Sequence, residues 1–171
     1  NMAEDRIGSE RIKTAYAWCT VLDAGSIIIG GSDAPVEKVN PFHGLYAGVT
    51  RMTRAGEPEG GWYPGQKVTR EEALKAFTIW AAYGQFEEEL KGSLEPGKLA
   101  DFIVIDRDYM TCPEADIKDI QVLATYVGNE LVYSKDTSVP TVVWQGDPLT
   151  FNSELVVEPG TIYVPLNDMV N

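Results

Sequence analysis

Ser26-Ile27-Ile28-Ile29-Gly30-Gly31-Ser32-Asp33-Ala34-Pro35 is the stretch whose reading decides the fold. Three consecutive isoleucines form a short apolar run, and two glycines end it. A continuous apolar run of this length suits a strand buried on both faces, as in a parallel sheet. Gly30 and Gly31 free the backbone to leave such a strand sharply or to approach another group closely. Asp33 then falls where the strand ends, the place where α/β folds house their chemistry. Taken locally, the same residues read equally well as a turn or a helix N-cap. The surrounding chain has to decide.

Upstream, Arg6 to Leu22 predicts one helix. Ile12, Ala15, Tyr16, Cys19, Val21 and Leu22 share a face, and Gly25 is the stop. Helix, tight connection and buried strand in succession are the rhythm of a repeated βα architecture. Downstream, Asn40-Pro41 opens a helix over Phe42 to Thr53, weakened by Gly44 and Gly48. Ala55 to Lys67 is rich in glycine and proline and reads as a loop anchored by Trp62 and Tyr63. Thr69-Arg70-Glu71-Glu72 is a capping box, because the Thr69 hydroxyl can accept from the Glu72 N–H while the Glu72 side chain reaches back. The helix it opens continues through Ala81 and ends at Gly84, with Trp80 and Tyr83 as core and rim packing. Phe86 to Leu90 adds a short acidic helical turn.

After Gly92 the pattern turns from helical to β. Glu95-Pro96-Gly97 is a turn, and Leu99 to Asp106 follows as an apolar strand. Asp106-Arg107-Asp108 reads as a solvated strand end. Ile117 and Ile120 fit one helical turn. Val122–Val127 and Leu131–Tyr133 predict a hairpin closed by Gly128-Asn129. Ser134 to Thr141 is a linker. Beyond it, Thr141–Trp144 with Leu149–Phe151, and Leu155–Val157 with Ile162–Val164, predict two further hairpins.

The bulk properties set limits. At 171 residues the chain can bury a core, but it is shorter than the ~250 residues of a complete (β/α)8 barrel. A formal net charge of -12 argues against nucleic acid and anionic membrane surfaces as partners. No apolar run approaches the ~18 residues of a membrane span, and the polar, charged stretch Asn1 to Glu10 shows no signal peptide. Cys19 and Cys112 form no C-x-x-C pair; Cys19 reads as a small core residue and Cys112 as a loop residue. The single histidine, His43, cannot build a hydrolytic zinc site by itself, since such sites use several histidines with carboxylates.

Four segments carry a family resemblance. They are Gly31-Ser32-Asp33-Ala34-Pro35-Val36, Val49-Thr50-Arg51, Thr69-Arg70-Glu71-Glu72-Ala73-Leu74 and Gly92-Ser93-Leu94-Glu95-Pro96-Gly97-Lys98-Leu99-Ala100-Asp101-Phe102. Thr125-Tyr126-Val127-Gly128 and Val132-Tyr133 close the match. From Asp5 to Tyr133 the chain resembles the C-terminal end of an amidohydrolase-superfamily enzyme of the family 3, YtcJ-like branch. The resemblance implies an α/β fold: the last part of a (β/α)8 barrel at 1–91, strands of a small β-sandwich at 92–136, and a β-rich appended unit at 137–171. It implies that Asp33 is the aspartate ending the last barrel strand, a metal ligand and proton shuttle. His43 and Arg51 follow as weaker substrate-binding candidates. A divalent metal, zinc first, and a small-molecule substrate with a C–N bond are implied for the complete protein. The family's His-x-His motif and later histidines are not in this sequence, which implies a piece of a longer protein, inactive alone.

The tail from Val142 resembles a small β-unit named after the N-terminal domain of copper amine oxidases, though without histidine or cysteine it suggests no copper site. A cytoplasmic location is expected, or a cell-surface one if the tail belongs to that unit. Two other readings stand beside the hydrolase. One is a non-catalytic β-rich assembly or binding module, with copies pairing through open strand edges. The other is a self-contained hydrolase using only carboxylates, among them Asp33, Glu37, Asp101 and Asp106.

Overall fold

The computed structural model describes residues 2–135 and the main chain of residues 162–165. Five α-helices precede the sheet: α1 (Met2–Arg11), α2 (Trp18–Asp23), α3 (Pro41–Thr50), α4 (Arg70–Ala76) and α5 (Ile79–Gly84). Four strands follow, β1 (Phe102–Ile105), β2 (Val122–Val127), β3 (Glu130–Ser134) and β4 (Ile162–Pro165). They form one antiparallel sheet in the order β3-β2-β1-β4.

β1 is an inner strand, and its alternating side chains serve two cores. Ile103 and Ile105 join Phe42, Leu45, Tyr46 and Val49 of α3, together with Ile117 and Ile120 from the 3-10 turn at Glu114–Asp119. Phe102 and Val104 face the other way and pack with Ala100, Ala124 and Tyr126. Phe102 and Tyr126 stack with their centroids 4.6 Å apart. The β2–β3 hairpin closes through Gly128 and Asn129, both at positive φ as the sequence demands. Asp101 locks that turn by accepting from the Gly128 N–H at 2.7 Å.

Several expectations need correction. The helix read over Arg6 to Leu22 is broken: α1 itself kinks at Gly8 (φ 78), a 3-10 turn follows at Ile12–Thr14, and Tyr16 (φ 53) leaves helical space before α2 begins. The apolar face misled because periodicity continues across a break that the backbone does not. The helix read through Ala81 also breaks, at Thr78, whose hydroxyl donates to the Leu74 carbonyl at 2.7 Å. Phe86–Leu90 forms turns without a helix. Tyr83 and Trp80 do divide as rim and interior: Tyr83 is exposed and Trp80 half-buried.

The largest correction falls on Ile27–Ile29. It belongs to no sheet among the described residues, and Ile29 is 57% exposed. A strand exists only through the ladder it makes with neighbours, and an apolar run shows a demand for burial without supplying the partner. What holds the segment is a bond from the Gly30 N–H to the Ala76 carbonyl at 2.9 Å and the packing of Ile29 against Gly84. Of the tail, Ile162–Val164 is a strand as read, but it pairs with β1. Its expected partner Leu155–Val157, and the hairpin of Thr141–Trp144 with Leu149–Phe151, lie outside the described residues.

Asn40 caps α3 by accepting from the Phe42 N–H at 3.0 Å, with Pro41 in the first turn. The capping box of Thr69 and Glu72 opens α4 as read. Gly44 does more than weaken its helix: a Cβ there would stand 2.5 Å from Phe77 Cζ, and one at Gly30 would stand 2.6 Å from the same ring. Phe77 is therefore seated between two glycines, which brings α3, α4 and the Gly30 segment together. Gly44→Ala sets helix propensity, worth about 1 kcal/mol in favour of alanine, against overpacking, which costs about 1–3 kcal/mol. We expect net destabilisation in urea unfolding, relieved in the Gly44→Ala/Phe77→Leu double variant; a more stable single variant would show that the ring moves aside freely.

Candidate functional site

A cavity of about 830 Å³ opens between the Ile28–Ser32 segment, α3 and the α4–α5 pair. Trp18, Leu22, Met52, Phe77 and Trp80 make its walls apolar, His43 adds an imidazole, and Lys38 and Arg54 with Glu37 and Glu72 add charges of both signs. Convergent polar groups on an apolar concavity are the usual form of a small-molecule site. Ser32 lines this cavity, whereas Asp33 stands just beyond it. Asp33 occupies an exposed turn at φ 50, its carbonyl accepting from the Val36 N–H at 2.8 Å. Aspartate tolerates this left-handed conformation better than most residues. The turn reading of Ser32–Pro35 thus describes the local geometry, and the carboxylate is left open to solvent.

His43 projects from α3, half-buried, with Nδ1 3.3 Å from Arg54 Nη1. Arginine has donors only, so Nδ1 is the acceptor and the ring proton resides on Nε2. Burial, then the charges of Arg54 and Lys38, hold the His43 pKa below its ordinary 6.5. The imidazole is neutral at pH 7 and presents Nε2–H as a donor.

Arg51 ends α3 in the left-handed conformation, φ 60, a position that usually belongs to glycine. Its main chain and side chain both engage Trp62: the Trp62 N–H donates to the Arg51 carbonyl at 2.8 Å, and Arg51 Nε donates to the Trp62 carbonyl at 3.0 Å. Nη1 donates to the Tyr16 carbonyl at 3.1 Å. This is how the glycine- and proline-rich loop is anchored, as Trp62 was read to do. Gln66 adds a second fastening by bonding both the N–H and the hydroxyl of Thr20 in α2.

A model of the amidohydrolase family matches residues 1–133 of this chain. The chain belongs to that family. It is 31% identical to the putative amidohydrolase YtcJ of Bacillus subtilis over 131 residues, 77% of this chain and 25% of the relative. It is 36% identical over 129 residues to the protein LONG AFTER FAR-RED 3 of Arabidopsis thaliana, covering 75% of this chain and 22% of the relative. With the N-substituted formamide deformylase of Arthrobacter pascens it shares 36% identity over 119 residues, 70% of this chain and 21% of the relative. The chain therefore spans a quarter or less of each of these relatives. No solved structure matches it.

Amidohydrolase-family proteins are generally metal-dependent. The donors described here do not fit a metal by themselves: among the described residues no three of His, Cys, Asp or Glu come together. The carboxylate-only site is not assembled either. Asp101 is committed to the Gly128 N–H, and Asp106 accepts from Arg107 and the Gln121 N–H, which hold its carboxyl below the usual range. These two residues flank β1 as structural caps, while Asp33 and Glu37 lie in the exposed turn after Gly31.

Sequence reasoning missed Lys38, Arg54 and Trp18 as cavity residues. Arg54 comes there because α3 stops at Arg51, while Trp18 is carried by α2 and Lys38 by the segment that precedes α3. It also missed a clamp behind the site, in which Arg70 donates to the Tyr109 and Cys112 carbonyls and the Tyr109 hydroxyl donates to the Arg70 carbonyl. His43 should titrate below 6.5 by NMR and move upward in Arg54→Gln. Because its folded-state pKa is the depressed one, its contribution to stability is present above the unfolded value and is lost as pH falls through the folded value.

Proposed function

We propose that the complete protein containing this chain hydrolyses an amide or other non-peptide C–N bond of a small molecule, with Asp33 as metal ligand, proton shuttle or both. The observation that carries this reading is the exposed Asp33 carboxylate next in sequence to Ser32, which lines the cavity, in a chain of the amidohydrolase family. The names of two relatives, a putative amidohydrolase and a deformylase of N-substituted formamides, support the bond class. When bound, a divalent metal, zinc first, would supply Lewis-acid activation of water. Asp33, as a solvated carboxylate, can take a proton and return it to a leaving amine. His43 would meet substrate from the cavity wall through Nε2–H, and the Arg51 cation stands behind the Trp18 wall.

In this reading residues 1–91 finish a (β/α)8 barrel, 92–136 supply strands of a β-sandwich, and 137–171 are appended to it. The pairing of β4 with β1 supports continuity of the last two parts. The open barrel accounts for the exposed Ile29. Among the described residues β3 is an edge strand with Leu131, Val132 and Tyr133 exposed, which makes it the candidate edge for pairing of two copies. The chain alone would be inactive, since among the described residues no three metal-ligating side chains come together.

The test is Asp33→Asn in the complete protein, a substitution whose side chain also tolerates positive φ. We expect kcat to fall by about 10²–10⁴ with lowered metal content and an unchanged unfolding curve. Unaltered activity in this variant, together with a complete protein that binds no divalent metal, overturns the reading.

A further inference from the structure

The cavity of about 830 Å³ combines aromatic walls with one place where a cation and an imidazole meet. Trp18, Phe77 and Trp80 supply the rings, and Met52 adds a polarizable thioether. Arg54 Nη1 lies 3.3 Å from His43 Nδ1, and both residues line the cavity. The main chain that carries Arg54 is fixed by a tight turn. The Thr53 N–H donates to the Glu57 carbonyl at 2.7 Å, and the Gly56 N–H donates to the Thr53 carbonyl at 2.8 Å. The guanidinium is thus held from both ends, by its backbone and by the imidazole, which lowers the cost of ordering it around a ligand.

The charge of Arg54 is not offset locally. Arginine keeps its proton, and a neutral imidazole accepts a hydrogen bond without supplying a counter-charge. Among the described residues neither Arg54 nor Lys38 forms an ion pair. Two carboxylates also line the cavity, but Glu72 is occupied as a helix cap, its Oε2 accepting from the Thr69 N–H at 2.7 Å and the Thr69 hydroxyl at 2.8 Å. Glu37 is exposed in the turn after Gly31. At His43 the cations Arg54 and Lys38 each act more strongly than the anions Asp119 and Glu37, so the field beside the imidazole is positive.

We propose that the substrate of this cavity is an acidic aryl compound, its ring received among Trp18, Phe77 and Trp80 and its carboxylate paired with Arg54. Aromatic side chains take a ring in stacked or edge-on contact. A guanidinium presents N–H groups in a planar fork that matches both the geometry and the charge of a carboxylate. Arg54 is then the residue that selects an acid over its neutral analogue, and the aromatic walls select an aryl acid over a small one. The proposal rests on the reading of the cavity as the substrate pocket, but it uses neither Asp33 nor a metal.

The experiment titrates the 171-residue chain with naphthylacetate, with naphthylacetamide as its neutral analogue, and with sodium acetate, all at constant ionic strength. The ring protons of His43, the single histidine, give an unambiguous NMR readout beside Arg54. Naphthylacetate is expected to shift them saturably, with the amide and acetate each about tenfold weaker or more. The bound acid raises the His43 pKa, because a nearby anion favours the imidazolium, whereas the bound amide leaves it in place. In Arg54→Gln the acid and the amide bind alike, while Lys38→Gln keeps the preference for the acid. Arg54 is exposed, so its variant is expected to keep the wild-type unfolding curve. Equal binding of acid and amide, a preference that survives Arg54→Gln, or acetate binding as tightly as naphthylacetate overturns the proposal and leaves the pocket reading intact. Failure of both aryl ligands to bind overturns the two together.

Discussion

The four residues of β1 are the constraint on which the described structure depends. Phe102 and Val104 commit one face of the sheet to its own small core, while Ile103 and Ile105 tie the other face to α3. A one-residue slip of this strand would exchange the two sets. Its register is fixed by both cores at once, as well as by the ladders to β2 and β4. Because α3 rests on Ile103 and Ile105, everything that α3 carries is placed by a strand far along the chain.

From α3 the order passes to the cavity by two contacts of opposite kind. The first is absence of volume, since Gly30 and Gly44 admit the Phe77 ring and so bring the Gly30–Ser32 segment against α3 and α4. The second is directed bonding. Arg51 stops the helix in a conformation most residues avoid, then holds the following loop by pairing with Trp62 and the preceding segment by bonding Tyr16. A side chain read from the sequence as a weak substrate contact is thus the junction of three segments.

Local signals were legible where the physics is local. The capping box at Thr69, the Asn40-Pro41 helix start and the Gly128-Asn129 turn each involve a few neighbouring residues whose bonds can be made without the rest of the fold. The signals that failed depended on distant partners or on single backbone angles. Ile27–Ile29 announced burial but not a neighbour to pair with. The helix pattern over Arg6 to Leu22 carried no mark of the left-handed Tyr16. Of the site, Asp33 and His43 were visible as residue types in a suggestive setting, whereas Arg54 was not, because its place at the cavity comes from the arrest of α3.

The sequence by itself determined the family, through runs such as Gly-Ser-Leu-Glu-Pro-Gly-Lys-Leu-Ala-Asp and the Gly-Gly-Ser-Asp stretch. It also determined which caps and turns would form, because those follow from short-range hydrogen bonding and glycine's φ freedom. Tertiary structure alone decided that Asp33 sits on a solvent-exposed turn, that Asp101 and Asp106 serve as backbone caps, and that Arg51 is enclosed by aromatic rings. These are questions of which groups, far apart in the chain, share one small volume. Burial and the satisfaction of donors depend on that volume, and no stretch of sequence contains it.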